Sequence, residues 1–293
     1  MQRIFVGDVQ GCADELDELL ARADDAFGDG FELWCVGDLV NRGPDNRRCL
    51  ERLRSLDEAG RARYVLGNHE LHLLAVDFGL RELQPEDTFD DVLAAPDARE
   101  WLDWLRTRPL AVEGTIGGER FVMLHAAAHP DWSLDALLDV ASRIEARLVA
   151  SAAEARALLA AAPAADPLRD ALGRLTRCRS VEDDGAWSSR QPARPERAWH
   201  RVWAAREHGY AIVYGHWSQQ GLHVAPRLRG LDTGCVHHGR GRDGFLTAWL
   251  PGDGPRAAGL RAFDLPDDRF WQIRAHRRYY GTRPRPAAGG APR

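Results

Sequence analysis

The chain of 293 residues contains no lysine: all 39 of its basic residues are arginine. No Walker-type phosphate loop and no Schiff-base chemistry can operate here, because both need a lysine amine. A codon bias toward GC-rich triplets accounts for such a composition. Whatever its origin, phosphate chemistry would fall to arginine, histidine, backbone amides or metal ions. The five cysteines (Cys12, Cys35, Cys49, Cys178 and Cys235) form no CxxC pair, which argues against a disulfide scaffold or a structural zinc site. No apolar run approaches the roughly 18 residues of a membrane span. The first residues also lack the charged-then-apolar pattern of a secretion signal, so a cytoplasmic location is expected. The charge excess is small: the formal net charge is −5, with 28% charged and 44% hydrophobic residues. That balance excludes a disordered, collagen-like or histone-like chain. The length allows one large domain or two small ones with a substantial core.

Short apolar runs alternate with helical patterns in the N-terminal half. Ile4–Val6, Leu33–Val36, Tyr64–Leu66, Phe121–Leu124 and Ala211–Tyr214 are rich in β-branched and aromatic residues, and read as buried strands. Helical patterns cover Ala13–Arg22, Asn46–Leu56 and Glu70–Val76, so the core is expected to be α/β. Residues 86–108, with Trp101 and Trp104, read as a helical insertion, and a second helical insertion is expected near 134–175. The Ala- and Leu-rich stretch Leu134–Ala162 would form a surface helix pair ended by Pro163–Pro167. Residues 180–200 read as a loop, and strand-like runs follow at Leu222–Val224, Leu228–Leu231, Phe245–Leu250 and Leu260–Phe263. Residues 1–280 are expected to form one domain and 281–293 a disordered tail. Residues 269–293 carry seven arginines and no acid. This basic end would either add salt-dependent RNA affinity or remain a solvated tail. No internal repeat is present.

Each of the five early strand candidates runs into a residue able to bind metal or handle protons. Val6 leads to Gly7-Asp8-Val9-Gln10-Gly11, Val36 to Gly37-Asp38, Leu66 to Gly67-Asn68-His69-Glu70, Leu124 to His125, and Tyr214 to Gly215-His216. Ligands of α/β sheets bind beyond the carboxyl ends of strands, and a neighbouring glycine permits the tight turn. One such ending is an ordinary helix cap; five in one chain point to a shared site. Two aspartates, an asparagine and two histidines, without thiolate, suit manganese, iron, cobalt, magnesium or zinc rather than copper(I) or an iron–sulfur cluster. So many donors exceed one open site and suit two ions about 3.5–4 Å apart that share a carboxylate and activate water against a phosphoryl group.

These segments resemble the signature set of the calcineurin-like metallophosphoesterases. The longer strings GDVQGCADEL, GDLVNRGPD, VLGNHELHLLAV, HAAAHPDW, YGHWS and GLDTGCV resemble the symmetrical bis(5'-nucleosyl)-tetraphosphatases, or diadenosine tetraphosphatases. The match runs in order from residue 1 to about 250 and is weak over 134–170 and 186–210. The resemblance implies a sandwich of two mixed β-sheets flanked by helices. It implies cleavage of diadenosine tetraphosphate to two ADP, with decapping of RNA bearing a dinucleoside-polyphosphate 5' end as an extension. It implies two divalent ions, with manganese or cobalt foremost and magnesium, iron or zinc as alternatives. Asp8 and Gln10 would hold the first, Asp38 would bridge, and Asn68, His125 and His216 would hold the second. His69 would act as general acid with Glu70 orienting it, and Arg42 would clamp phosphate. Arg177 and Arg179 would either contact phosphate or be surface charge, and His72 would either contact substrate or pack a helix face. Asp232 would either support His216 or cap a turn.

Three positions depart from the pattern. Gln10 stands where the superfamily usually has His, Glu70 where the tetraphosphatases usually have Asp, and Ala127 where the family usually has Gly. GNHE is also the spelling of the serine/threonine phosphoprotein phosphatases, which form the alternative enzymatic reading. A catalytically weak nucleotide-binding protein, signalled by Gln10, is the alternative of another class.

Overall fold

Alternate residues of the short apolar runs face opposite ways, and that alternation builds the core in layers. The computed structural model describes residues 1–252, 262–263 and 269–279. Its elements begin β1 (Gln2–Val6), α1 (Ala13–Phe27), β2 (Phe31–Cys35), α2 (Asn46–Glu58), β3 (Ala62–Tyr64), α3 (Asn68–Asp77), α4 (Asp90–Leu93) and α5 (Ala98–Arg106). The chain continues through β4 (Ala111–Ile116), β5 (Glu119–Leu124), α6 (Leu134–Ala150), α7 (Ala152–Ala160), α8 (Pro167–Arg177), β6 (Ser180–Val181), β7 (Trp187–Ser188) and α9 (Trp199–Ala204). It ends with β8 (Ala211–Tyr214), β9 (His223–Ala225), β10 (Leu228–Gly230), β11 (Phe245–Trp249) and β12 (Phe270–Arg274).

Two mixed five-stranded sheets result, ordered β12-β11-β1-β2-β3 and β4-β5-β8-β10-β9. β1, β2 and β3 are parallel, with β11 antiparallel to β1; β5, β8 and β10 are parallel, with β4 and β9 antiparallel at the edges. Phe5, Trp34, Phe121, Met123, Val213 and Trp249 fill the space between the sheets. Their alternate neighbours in sequence turn outward: Ile4, Val6, Leu33 and Cys35 pack beneath α1 and α2, whereas Val122, Leu124, Ile212 and Tyr214 pack beneath the later helices. Phe5 sits at the centre, with ring centroids 5.3 Å from Trp34, 5.4 Å from Phe121 and 5.2 Å from Trp249. This is the sandwich of two mixed sheets flanked by helices.

Helix boundaries follow local chemistry. Asp45 caps α2, and Asp166 caps α8 by accepting from the backbone of Leu168 and Arg169, with Pro167 in the first turn. Ser151 caps α7 and so divides the Ala- and Leu-rich stretch into α6 and α7. The insertion at 86–108 folds against the first sheet through Phe89, Val92, Trp101 and Leu105. Two readings differ from the structure, and two strands carried no signal in the sequence. Residues 180–200 form the β6–β7 ladder and α9 rather than a loop. β4 and β12 carry no continuous apolar run, because each is an edge strand with one face only partly covered. Of the run at 260–263, Ala262 and Phe263 are described, and they form a buried turn. The expected tail, 281–293, lies outside the described residues.

Candidate active site

β1, β2, β3, β5 and β8 end at one rim of the sandwich, and the loops beyond them converge there. The backbone is bent hard at this rim. Gln10, Asp38, Asn41, Arg42 and His216 all have positive φ, between 49° and 82°. Such conformations cost a side-chain-bearing residue about 1–2 kcal/mol each and cluster where function requires them. Two glycines allow the loops to approach. A Cβ on Gly67 would lie 2.1 Å from Asp38 Oδ1, and one on Gly215 would lie 2.1 Å from Asp8 Oδ1.

The side chains meet in one buried cluster. Asp38, His125 and His216 each offer a ligand atom, all within 4.8 Å of one another. Asn68 Oδ1 lies 3.2 Å from His125 Nε2, and Asp38 Oδ2 lies 3.4 Å from the same nitrogen. His125 Nδ1 is 2.8 Å from the Val36 carbonyl. A carbonyl only accepts, so Nδ1 carries the hydrogen and Nε2 is left as a donor to metal, the usual second contact of a ligating imidazole. By the same argument His216, whose Nε2 lies 3.1 Å from the Arg177 carbonyl, keeps Nδ1 free. The His216 backbone N–H donates to Asp8, 3.1 Å from Oδ1. Gln10 places its amide nitrogen 3.3 Å from His69 Nε2.

Asp8, Asp38 and Asp232 are buried together, and among the described residues none pairs with an arginine. Burial, then Asp232 and Asp38, push the Asp8 carboxyl well above its ordinary range. Burial raises Asp232 to about 6, partly offset by the Gly234 N–H it accepts. Burial opposes ionisation of Asp38 too, yet His125 and His69 hold it low. Buried carboxylates without a cation are costly. A divalent cation would relieve all three, and the mixed oxygen and imidazole donors suit such an ion.

A family model for calcineurin-like phosphoesterase matches residues 1–239. The chain belongs to the calcineurin-like phosphoesterase family. It is 40% identical over 252 residues to a protein of Ralstonia nicotianae named symmetrical bis(5'-nucleosyl)-tetraphosphatase, covering 80% of this chain and 86% of that one. It is 39% identical over 274 residues to a Shewanella protein (strain MR-7) of the same name, covering 85% and 94%. The crystal structure of a candidate diadenosine tetraphosphatase superposes with a TM-score of 0.57 at 23% identity, over 94% of this chain and 93% of that one, which establishes the shared fold. The protein is a hydrolase, and divalent metal ions are its family's cofactors.

Two further groups lie near the carboxylate–imidazole cluster of this phosphoesterase. Asp87 binds both Arg42, 3.2 Å from Nη1, and His72, 2.7 Å from Nε2. Asp87 comes from the 86–108 segment, and no motif marked it. Arg179 donates to the Ser189 carbonyl at 2.8 Å, and burial and the neighbouring arginines lower the Arg177 guanidinium. His69 is largely but not fully buried, with Nε2 3.6 Å from Asp38 Oδ2 and Nδ1 unpartnered among the described residues. Burial pushes it down to about 4.

Glu70 stands apart from its expected role. Its carboxylate accepts four backbone N–H groups: Asp38 at 3.0 Å, Leu39 at 2.8 Å, Val40 at 3.2 Å and Gly67 at 2.8 Å. It therefore pins the Asp38 loop to the Asn68 turn and does not orient the His69 ring. Helix geometry explains the difference: Glu70 is the third residue of α3 and turns back on the helix start, as in a capping box. Asp232 caps its turn through Gly234 and stands beside Asp8 rather than on the His216 ring.

Proposed function

We propose that this phosphoesterase hydrolyses dinucleoside tetraphosphates symmetrically, converting diadenosine tetraphosphate to two ADP. The observation that carries the reading is the gathering of three guanidinium groups, Arg42, Arg177 and Arg179, around one carboxylate–imidazole cluster. A single phosphate ester needs one such clamp; a chain of phosphates uses several. The named relatives from Ralstonia and Shewanella support the substrate class.

Asp8, Gln10 and Asp38 would hold one divalent ion, and Asp38, Asn68, His125 and His216 a second, with manganese or cobalt the favoured metals. Bound there, the ions would polarise an inner phosphoryl group and make water acidic enough to attack it. Water adds to one inner phosphorus, the central P–O–P bridge breaks, and the bridging oxygen leaves with the second ADP. His69 supplies the proton to that oxygen. Its ring is neutral without substrate, and the negative charge of the phosphate chain favours the imidazolium. Arg42, held by Asp87, neutralises charge on the equatorial oxygens. RNA capped by a dinucleoside polyphosphate offers the same bridge and is proposed as a further substrate, in the cytoplasm.

Product analysis tests the reading. ADP as sole product from diadenosine tetraphosphate supports it, and AMP with ATP overturns the symmetric cut. Phosphate release from a phosphopeptide without turnover of the dinucleotide would favour the phosphoprotein phosphatases. Chelation should abolish activity and manganese or cobalt restore it; full turnover in protein shown to be metal-free would exclude metal participation.

A further inference from the structure

A narrow cleft leaves the metal cluster between α3 and α8. From α3 it is lined by Asn68, His72 and Ala75, spaced i, i+4, i+7 on one helix face. From α8 it is lined by Arg169, Leu172 and Thr176, spaced i, i+3, i+7, with Arg177 following. Arg81 completes it beyond the end of α3, where the Arg81 and Leu80 N–H groups both return to the Ala75 carbonyl. The cleft thus holds three guanidinium groups.

None of the three makes an ion pair among the described residues, although this chain pairs arginine with acid freely elsewhere, as in Arg48 with Asp14 and Asp17. Among the described residues, Arg169 Nε and His72 Nδ1 are both buried without a hydrogen-bond partner. Burial and then Arg81 lower the Arg169 guanidinium. Like charges gathered in a cleft without acids are costly, and an anion relieves that cost. The Arg177 carbonyl lies 3.1 Å from His216 Nε2, so Arg177 marks the end nearest the carboxylate–imidazole cluster. The space between the three guanidinium groups is about 30 Å³, room for no more than one phosphate group.

We infer that Arg81 and Arg169, with Arg177, form a subsite for one phosphate group of a polyphosphate chain, which binds a phosphate distal to the scissile bridge and selects substrates long enough to reach it. The inference rests on the phosphoesterase centre lying at Asn68 and deepens the dinucleoside-polyphosphate reading. Planar guanidinium groups suit such a ligand because each can grip two oxygens of one phosphate.

The test uses the full-length, manganese-loaded protein and the double variant Arg81→Gln/Arg169→Gln. Inorganic tripolyphosphate is the probe, read as an inhibitor of p-nitrophenyl phosphate hydrolysis. Its inhibition constant should rise at least tenfold in the variant. The kcat/KM for diadenosine tetraphosphate relative to p-nitrophenyl phosphate should fall by a similar factor, mainly through KM. The Tm without anion should rise, since uncompensated charge has been removed, and stabilisation by tripolyphosphate should vanish. Arg81→Lys/Arg169→Lys, which keeps the charge but not the fork, should recover part of the inhibition. An inhibition constant unchanged within twofold, or a lowered Tm with unaltered selectivity, would mark both arginines as structural and overturn the subsite. Wild-type protein that ignores the dinucleotide yet is inhibited by tripolyphosphate through these arginines overturns the functional reading and leaves the subsite standing.

Discussion

Asp87 Oδ2 lies 2.7 Å from His72 Nε2, and the other oxygen of the same carboxylate holds Arg42. One buried acid from a connecting segment therefore sets two residues at the rim of the site. Asp87→Asn should free Arg42 and lower kcat/KM roughly 10–100-fold, the effect of losing a charge-assisted contact of about 1.5–3 kcal/mol. Metal content should be unchanged, because Asp87 does not touch the cluster. Wild-type kinetics in this variant would show that Arg42 needs no such support.

His69→Ala should lower kcat by roughly 10²–10⁴-fold, the usual worth of a positioned acid. Metal analysis of the purified variant should match the wild type. A variant that loses metal but retains wild-type turnover per ion would reassign His69 to the ligand set.

Gln10 offers an amide where an imidazole would be the stronger donor to a late first-row ion. The ion held by Asp8 and Gln10 should therefore exchange readily, and Gln10→His should lower the metal concentration needed for half-maximal activity. Titration of both forms after dialysis against chelator measures this. Superimposable curves would show that residue 10 does not govern the first ion.

Glu70 satisfies four backbone N–H groups with two oxygens. Glu70→Gln replaces one acceptor with a donor and leaves buried N–H groups unmatched, at about 1–3 kcal/mol each. Thermal unfolding should shift down by several degrees, and the ion near Asp38 should bind less tightly. Unchanged melting would mean that the two loops are held by other contacts.

Acid stability has a traceable source at the surface. Arg47 grips Asp97 through contacts of 2.5 and 2.7 Å, and this pairing holds the carboxyl down to about 2. The unfolded carboxyl titrates near 3.9. A pKa lower in the folded state means stability that is present above about pH 4 and lost as pH falls toward 2. Arg47→Ala should therefore flatten the decline of Tm between those values. An identical pH profile in the variant would remove the pair from the account of acid unfolding.

Much of the site was legible because its residues follow strands directly. Asp8, Asp38, Asn68, His125 and His216 each stand at a strand end beside a glycine or a turn, and parallel strands bring such ends to one rim. Short apolar runs rich in β-branched and aromatic residues likewise marked the central strands. β4 and β12 stayed hidden because an edge strand needs little apolar continuity, and α9 because its short apolar face sits among polar neighbours.

The chain's local order determined the element types, the donor set and the family pattern, since these depend on residue type and spacing along a few turns. The roles of Asp87, Glu70 and Arg169 were decided only in three dimensions. Each acts on residues distant in sequence: Asp87 on Arg42, Glu70 on the Asp38 loop, and Arg169 beside Arg81. An acid in a loop, an acid in a helix and an arginine on a helix look ordinary in a linear chain. Packing determines which carboxylate meets four amides, which meets a guanidinium, and which guanidinium groups meet no acid.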